Sequence, residues 1–191
     1  MDYMKKIVVL TGASGTGKTT ICNYLQTEYQ MEKIITHTTR PQRQGEIHGR
    51  DYYFESQASF FQHEYLESVE YDHNYYGSSK TGIQKAFEKS DWATIVLDSE
   101  GAKAYLEQLP NETIVISLTV ATEGCLQGRL EKRGDSQASI EQRLASHETK
   151  RDEERCDYFA SQKNCYVIVN DDWQATKQKI ADLMKELQAN K

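Results

Sequence analysis

The stretch Lys5-Lys6-Ile7-Val8-Val9-Leu10-Thr11-Gly12-Ala13-Ser14-Gly15-Thr16-Gly17-Lys18-Thr19-Thr20 decides the fold. Its first half is a short apolar run rich in β-branched residues and reads as a buried parallel strand. Gly12–Thr19 completes the pattern G-x-x-x-x-G-K-[ST], and a helical stretch follows from about Lys18 to Tyr29. A strand, a glycine loop and a helix, in that order, are the context a phosphate-binding loop requires. Glycines at 12, 15 and 17 let backbone N–H groups turn inward around phosphate oxygens, and the helix start adds partial positive charge. In such a loop Lys18 reaches the β- and γ-phosphates of a nucleotide, and the Thr19 hydroxyl ligates Mg²⁺.

Further apolar runs repeat the opening pattern. Thr94–Leu97, Thr113–Leu118 and Tyr166–Val169 read as buried strands, with helices over Gly101–Leu109 and Glu123–Lys132. Asp171-Asp172 reads as the N-cap of a last amphipathic helix that carries Ile180, Leu183, Met184 and Leu187 on one face. Strands alternating with helices predict an α/β layered core. Two segments break the alternation. Residues 33–80 are polar, aromatic and turn-rich, and predict a small mixed lobe of short antiparallel strands. Residues 122–157 predict two charged helices around Arg133-Gly134-Asp135, with Ser136 capping the second.

The charge balance is 23 Lys+Arg against 29 Asp+Glu, a net charge of −6, which argues against sequence-blind nucleic-acid binding. All eight arginines nevertheless fall within 40–50 and 129–155, where planar cations suit phosphate or carboxylate groups. The longest aliphatic run, Ile7–Leu10, is far too short to span a membrane. Four scattered cysteines without a CxxC pair argue against structural zinc and for a reducing, cytoplasmic location.

The remaining candidates follow from residue type and place. Asp98 ends an apolar run, so it reads as a magnesium partner, a substrate contact or the cap of the next helix. Arg40 and Arg43 flank Pro41 and are placed to clamp a phosphate dianion, with tyrosine hydroxyls nearby as donors. Glu67 with Ser78 offers a carboxylate and a hydroxyl suited to the donor edge of a purine. Arg129 and Arg133 share a helix face, which reads either as a phosphate-facing pair or as a solvated, salt-bridged surface. Arg151 and Arg155 sit in a charge run and read as solvated.

Taken together, Gly12–Thr20, Thr38–Glu46, Gly49–Phe54, Glu67, Asn74–Ser78, Leu97–Gly101, Arg129–Gly134, Ile140–Leu144 and Val169–Asp172 resemble the guanylate kinase family over nearly the whole chain. The chain departs from the family pattern at Ala13, Thr36, Ser68-Val69 and Glu100, and at His73, where a glycine is usual. The resemblance implies an α/β fold of one domain: a P-loop NTPase three-layer core with a parallel sheet (1–32, 81–121, 158–191), a small mixed α/β NMP-binding lobe (33–80) and a helical lid (122–157). It implies ATP-dependent, Mg²⁺-assisted phosphorylation of GMP or dGMP. By position, Gly12, Ala13, Ser14, Gly15, Thr16, Gly17, Lys18, Thr19, Thr20, Arg129, Arg133 and Asn170 would hold ATP. Thr36, Arg40, Arg43, Tyr52, Glu67, Tyr76, Ser78 and Asp98 would hold GMP. Lys18, Arg40, Arg133 and Arg143 would act on the transferring group, and Thr19 with Asp98 would meet the metal. Two other readings stay open: a small P-loop kinase for another nucleotide or sugar phosphate, and a catalytically silent module that binds phosphopeptides.

Overall fold

Ile7, Val8, Val9 and Leu10 are each 0 % exposed. Successive side chains of a strand point to opposite faces, so four buried neighbours in a row require cover on both faces of the sheet. The structure, a computed structural model, describes residues 5–71, 73–132, 134 and 136–189. In chain order its elements are β1 (Lys6–Thr11), α1 (Lys18–Tyr29), β2 (Glu32–Lys33), β3 (His37–Thr38), β4 (Tyr53–Phe54) and α2 (Gln57–Phe60). Next come β5 (Tyr65–Tyr71), β6 (Asn74–Ser79), α3 (Lys80–Phe87), β7 (Trp92–Val96), α4 (Ser99–Gln108) and β8 (Thr113–Thr119). The chain continues through α5 (Glu123–Lys132), α6 (Gln137–Ala145), α7 (His147–Ala160), β9 (Cys165–Val169) and α8 (Trp173–Ala189). The expected α/β fold with a parallel sheet is therefore present. Five strands form one sheet in the order β2-β7-β1-β8-β9, and four form a second in the order β4-β3-β6-β5.

The chain makes two compact units, Met1–Leu10 with Thr19–Val115, and Thr11–Lys18 with Ile116–Lys191. In the first, β7 pairs in parallel with β1, from Lys6 opposite Trp92 to Leu10 opposite Val96, and in parallel with β2. Helices α1 and α4 bury Ile21, Cys22 and Leu25, and Ala102 and Tyr105. The small sheet differs from the expectation in one pairing. β5 with β6 and β3 with β6 are antiparallel, but β3 and β4 run parallel. The long excursion through Arg40–Tyr52 lets the chain return in the same direction, which two adjacent short strands in a hairpin cannot do. His73, in the turn between β5 and β6, has φ of +58°. Histidine is among the side chains that tolerate this left-handed conformation, which glycine adopts without strain.

The second unit holds the phosphate loop, α5 to α8 and β9, with Leu126, Leu130, Ile140, Phe159, Ile168, Ile180 and Met184 buried. Here three helices replace the two expected over 122–157. Ser136 caps α6 as expected, accepting from the Ser139 amide at 3.3 Å. A second cap, Ser146, accepts from the Thr149 amide at 3.1 Å and starts α7 where the charge pattern shows no break. The aspartate pair before α8 divides its work. Asp172 caps the helix through the Ala175 amide at 2.8 Å, whereas Asp171 accepts from the Ala121 amide at 3.0 Å. No helix among the described residues is long and apolar enough to cross a membrane.

The Ser146 cap sets a measurable expectation. Ser146→Ala should lower the unfolding free energy by about 1 kcal/mol, the usual worth of a serine N-cap. Hydrogen exchange should quicken at the Thr149 amide, and unchanged exchange there would contradict the cap assignment.

Candidate active site

In the second unit the glycine loop is held by its own carbonyl oxygens. The Thr16 hydroxyl donates to the Ala13 carbonyl at 2.8 Å and closes the turn. Lys18 Nζ donates to the carbonyls of Gly12 and Ala13 at 2.5 and 2.9 Å. Arg129 donates to the carbonyls of Gly15 at 3.3 Å and Asn170 at 2.5 Å. The Asn170 amide nitrogen donates to the Thr16 carbonyl at 2.7 Å, and its oxygen accepts from the Thr176 hydroxyl at 2.9 Å. In a trans peptide the N–H points opposite to the carbonyl. Engaging these oxygens therefore turns the N–H groups of the following residues the other way, as an anion cradle needs.

Two glycines permit this packing. Gly12 has φ of +124°, and a Cβ there would run into the Leu118 carbonyl; Gly17 has φ of +101°, and its Cβ would strike the Asn170 amide. Thr19 and Thr20, in the first turn of α1, are exposed, and Ser14 is half-buried. A cleft of about 190 Å³ beside the loop is lined by Ala13, Thr16, Val120 and Leu126 among others. Arg133 lies outside the described residues, as does the side chain of Arg143, whose backbone falls on α6.

In the first unit, Glu67 on β5 is 8 % exposed. Its Oε1 accepts from the Ser78 amide at 3.1 Å and from the Ser78 hydroxyl at 2.8 Å, so the expected pair is formed. Burial pushes the Glu67 carboxyl up to about 7; the Ser78 hydrogen bonds oppose this and the charge of Asp98 adds to it. Asp98 caps α4 by accepting from the Gly101 amide at 2.8 Å. Gly101 is the shared spacer: a Cβ there would stand 3.1 Å from Glu67 Oε2 and 3.2 Å from Asp98 Oδ1. Tyr105 is fully buried in the same neighbourhood, close enough to Ser78 and Glu67 to affect its ionisation, but without a hydrogen bond to its hydroxyl. Burial pushes that phenol far above its ordinary range. Thr36, 7 % exposed, precedes β3, and its carbonyl accepts from the Tyr53 amide at 2.9 Å.

Arg40 is nearly enclosed. Its guanidinium donates to Glu46 Oε1 and to the Pro41 carbonyl, both at 2.8 Å, and lies over the rings of Tyr52 and Phe54 at 5.4 and 5.8 Å. Tyr52 in turn meets Tyr76 edge to face at 6.1 Å. Glu46 also accepts from the Arg43 amide at 2.8 Å, so one carboxylate folds the whole 40–46 loop. The structure thus gathers Arg40, Tyr52 and Tyr76, and leaves Arg43 exposed on the loop that Glu46 shapes. Sequence reasoning did not single out Glu46, Gly101 or Tyr105. The cap-to-third-residue spacing of Asp98 and Gly101 was a local signal for one of them, whereas Tyr105 shows only as an apolar helix position.

The chain is similar to known proteins over most of its length. A family model for guanylate kinase matches residues 4–187. A guanylate kinase of Chlamydia felis is 36% identical over 173 residues, covering 87% of this chain and 81% of the relative. One from a Nostoc species is 33% identical over 181 residues, covering 92% and 87% respectively. The crystal structure of guanylate kinase from Anaplasma phagocytophilum shares the fold, with a TM-score of 0.73 at 24% identity over 98% of this chain and 88% of that one.

The buried carboxyl has a consequence for stability. The folded form holds the Glu67 proton more tightly than the unfolded chain does, so stability falls as pH rises from about 4.5 to about 7. Glu67→Gln removes this dependence. The unfolding free energy of wild type, measured relative to the variant across that window, should decline by on the order of 3 kcal/mol. A flat difference would mean that the carboxyl titrates normally.

Proposed function

Because the chain belongs to the guanylate kinase family, we propose that it transfers the γ-phosphoryl group of ATP to GMP or dGMP, reversibly, giving ADP and the nucleoside diphosphate. The observation that carries this reading is the buried Glu67–Ser78 pair in a chain whose Gly12–Thr19 loop satisfies the pattern G-x-x-x-x-G-K-[ST]. An ionised Glu67 is an acceptor-only group, matched to the N–H donors on the guanine edge, while the Ser78 hydroxyl adapts to either sign of partner. Thr36 and Asp98 complete the wall around the base. Arg40, Arg43, Tyr52 and Tyr76 supply cations and phenol donors for the acceptor phosphate.

On the donor side, the N–H groups of Gly12–Thr20 and the Lys18 ammonium bind the ATP phosphates, with Arg129 and Asn170 holding the loop in shape. Thr19 and Asp98 offer hard oxygen donors, a set that fits Mg²⁺. When bound, the ion would neutralise charge on the phosphate oxygens. The acceptor phosphate is already an oxyanion, so no general base is required and the protein acts by positioning and charge stabilisation. Arg133 and Arg143 stabilise the transferring group and exclude water from it. Residues 33–80 serve as the acceptor lobe, 122–157 as the lid and the rest as the core. The cysteines Cys22, Cys125, Cys156 and Cys165 form no disulfide, which supports a reducing, cytoplasmic setting.

A coupled assay of ADP formation against a panel of nucleoside monophosphates tests the assignment. GMP and dGMP should stimulate turnover, and AMP, CMP and UMP should not. Lys18→Ala should lower kcat by about a hundredfold or more. Silence with every acceptor, or near-normal GDP formation by Lys18→Ala, would overturn the reading. Since the Glu67 carboxyl sits at about 7 and must be ionised to accept from guanine, GMP should bind more tightly as pH rises from 6 to 8. That trend should vanish in Glu67→Gln.

A further inference from the structure

His37, Glu55 and His63 come from three separate pieces of the first unit. His37 lies on β3, Glu55 directly follows β4, and His63 lies between α2 and β5. His37 Nδ1 and His63 Nε2 both meet Glu55 Oε1, at 3.0 and 3.1 Å. The two imidazole rings are 4.3 Å apart, centroid to centroid. One ligand atom from each residue lies within 4.8 Å of the other two, the only such set of three or more His, Cys, Asp or Glu among the described residues. The kinase reading uses none of the three.

The groups behind these ligands are also in place. His37 is 6 % exposed, and its outer nitrogen, Nε2, meets the Ser79 hydroxyl at 3.1 Å. The other oxygen of Glu55 accepts from the Ser59 hydroxyl at 2.5 Å. A partner on the far nitrogen is how a metal-binding imidazole is oriented and its tautomer chosen. Burial, opposed by the Glu55 hydrogen bond, holds His37 below the ordinary histidine range. Against the effect of burial, hydrogen bonds from Ser59, His37 and His63 hold Glu55 below the ordinary carboxylate range.

We propose that His37 Nδ1, His63 Nε2 and a Glu55 oxygen bind a divalent transition ion of the zinc class, leaving one position to solvent. Two imidazoles and one carboxylate suit Zn²⁺ or Co²⁺, whereas Mg²⁺ prefers an octahedron of oxygens. Ligand atoms of a tetrahedral zinc site stand about 3.4 Å apart, from metal–ligand bonds of about 2.0–2.1 Å. The contacts to Glu55 already approach that spacing. His63, the exposed member of the set, is the ligand able to adjust. On binding, each ring carries its proton on the outer nitrogen: His37 Nε2 donates to Ser79, and His63 donates to water. The ion would tie β3, which leads into Thr38-Thr39-Arg40, to the end of β4 and to the segment before β5. The scattered cysteines take no part, so this site lies outside the pattern from which zinc was discounted in the sequence.

Full-length protein, stripped with a chelator and titrated with Co²⁺, tests the proposal. One equivalent should bind, with visible ligand-field bands of four-coordinate intensity and without thiolate charge-transfer absorption. Zn²⁺ should displace the Co²⁺ and raise Tm, and millimolar Mg²⁺ should do neither. His63→Ala alters an exposed side chain and should leave the fold intact, as circular dichroism would verify, yet weaken Co²⁺ binding at least about tenfold; Glu55→Gln should do the same. Absence of a stoichiometric band, a thiolate signature, or unchanged affinity in His63→Ala would each overturn the site and leave a purely hydrogen-bonded His–Glu–His cluster.

Discussion

The phosphate loop depends on a backbone with no side chains at two points of close approach. Gly12 runs against the Leu118 carbonyl and Gly17 against the Asn170 amide, both with positive φ. Around that bare backbone, Lys18, Arg129 and Asn170 take up carbonyl oxygens that would otherwise face the ligand. The electrostatics of the loop follow from this arrangement: an anion site is made less by adding positive groups than by turning negative dipoles away.

A second constraint governs the first unit. Burying a carboxylate without a cation is costly, and Glu67 is held there by hydrogen bonds from Ser78 while the charge of Asp98 opposes its ionisation. Such a group is primed for a ligand that brings donors. Arg40 shows the complementary arrangement. It is nearly enclosed and oriented by Glu46 and two aromatic rings, so its charge is buried with a paired carboxylate. Except for Pro41 and Glu46, one and six residues from Arg40, the neighbours that hold these two groups lie eleven or more residues away in sequence.

That remoteness explains what the chain reveals when read linearly. Gly12–Thr19 and the helix over Lys18–Tyr29 were legible, because short-range spacing and hydrophobic period carry them. The cap at Ser146 was legible in principle, with a hydroxyl placed three residues before Thr149, but the surrounding charge run concealed the break. The parallel pairing of β3 with β4 depends on how the excursion over residues 39–52 closes, which no local pattern encodes. Gly101, Tyr105 and the His37–Glu55–His63 set gain their meaning from contacts across strands and helices, so their residue types alone were silent.

The connection between Thr16 and Asn170 spans 154 positions. The compact unit that holds the loop is assembled from Thr11–Lys18 and a segment beginning only at Ile116. During synthesis the loop therefore leaves the ribosome long before Arg129, Asn170 and Thr176 exist to hold it. The nascent chain carries a glycine-rich turn with its carbonyl oxygens still hydrated, and the folded form of that turn can arise only after Asn170 has been made. The folded form of the loop therefore arrives only once its distant partners have been made, and a chain interrupted before residue 170 would lack the Asn170 hydrogen bond that holds it.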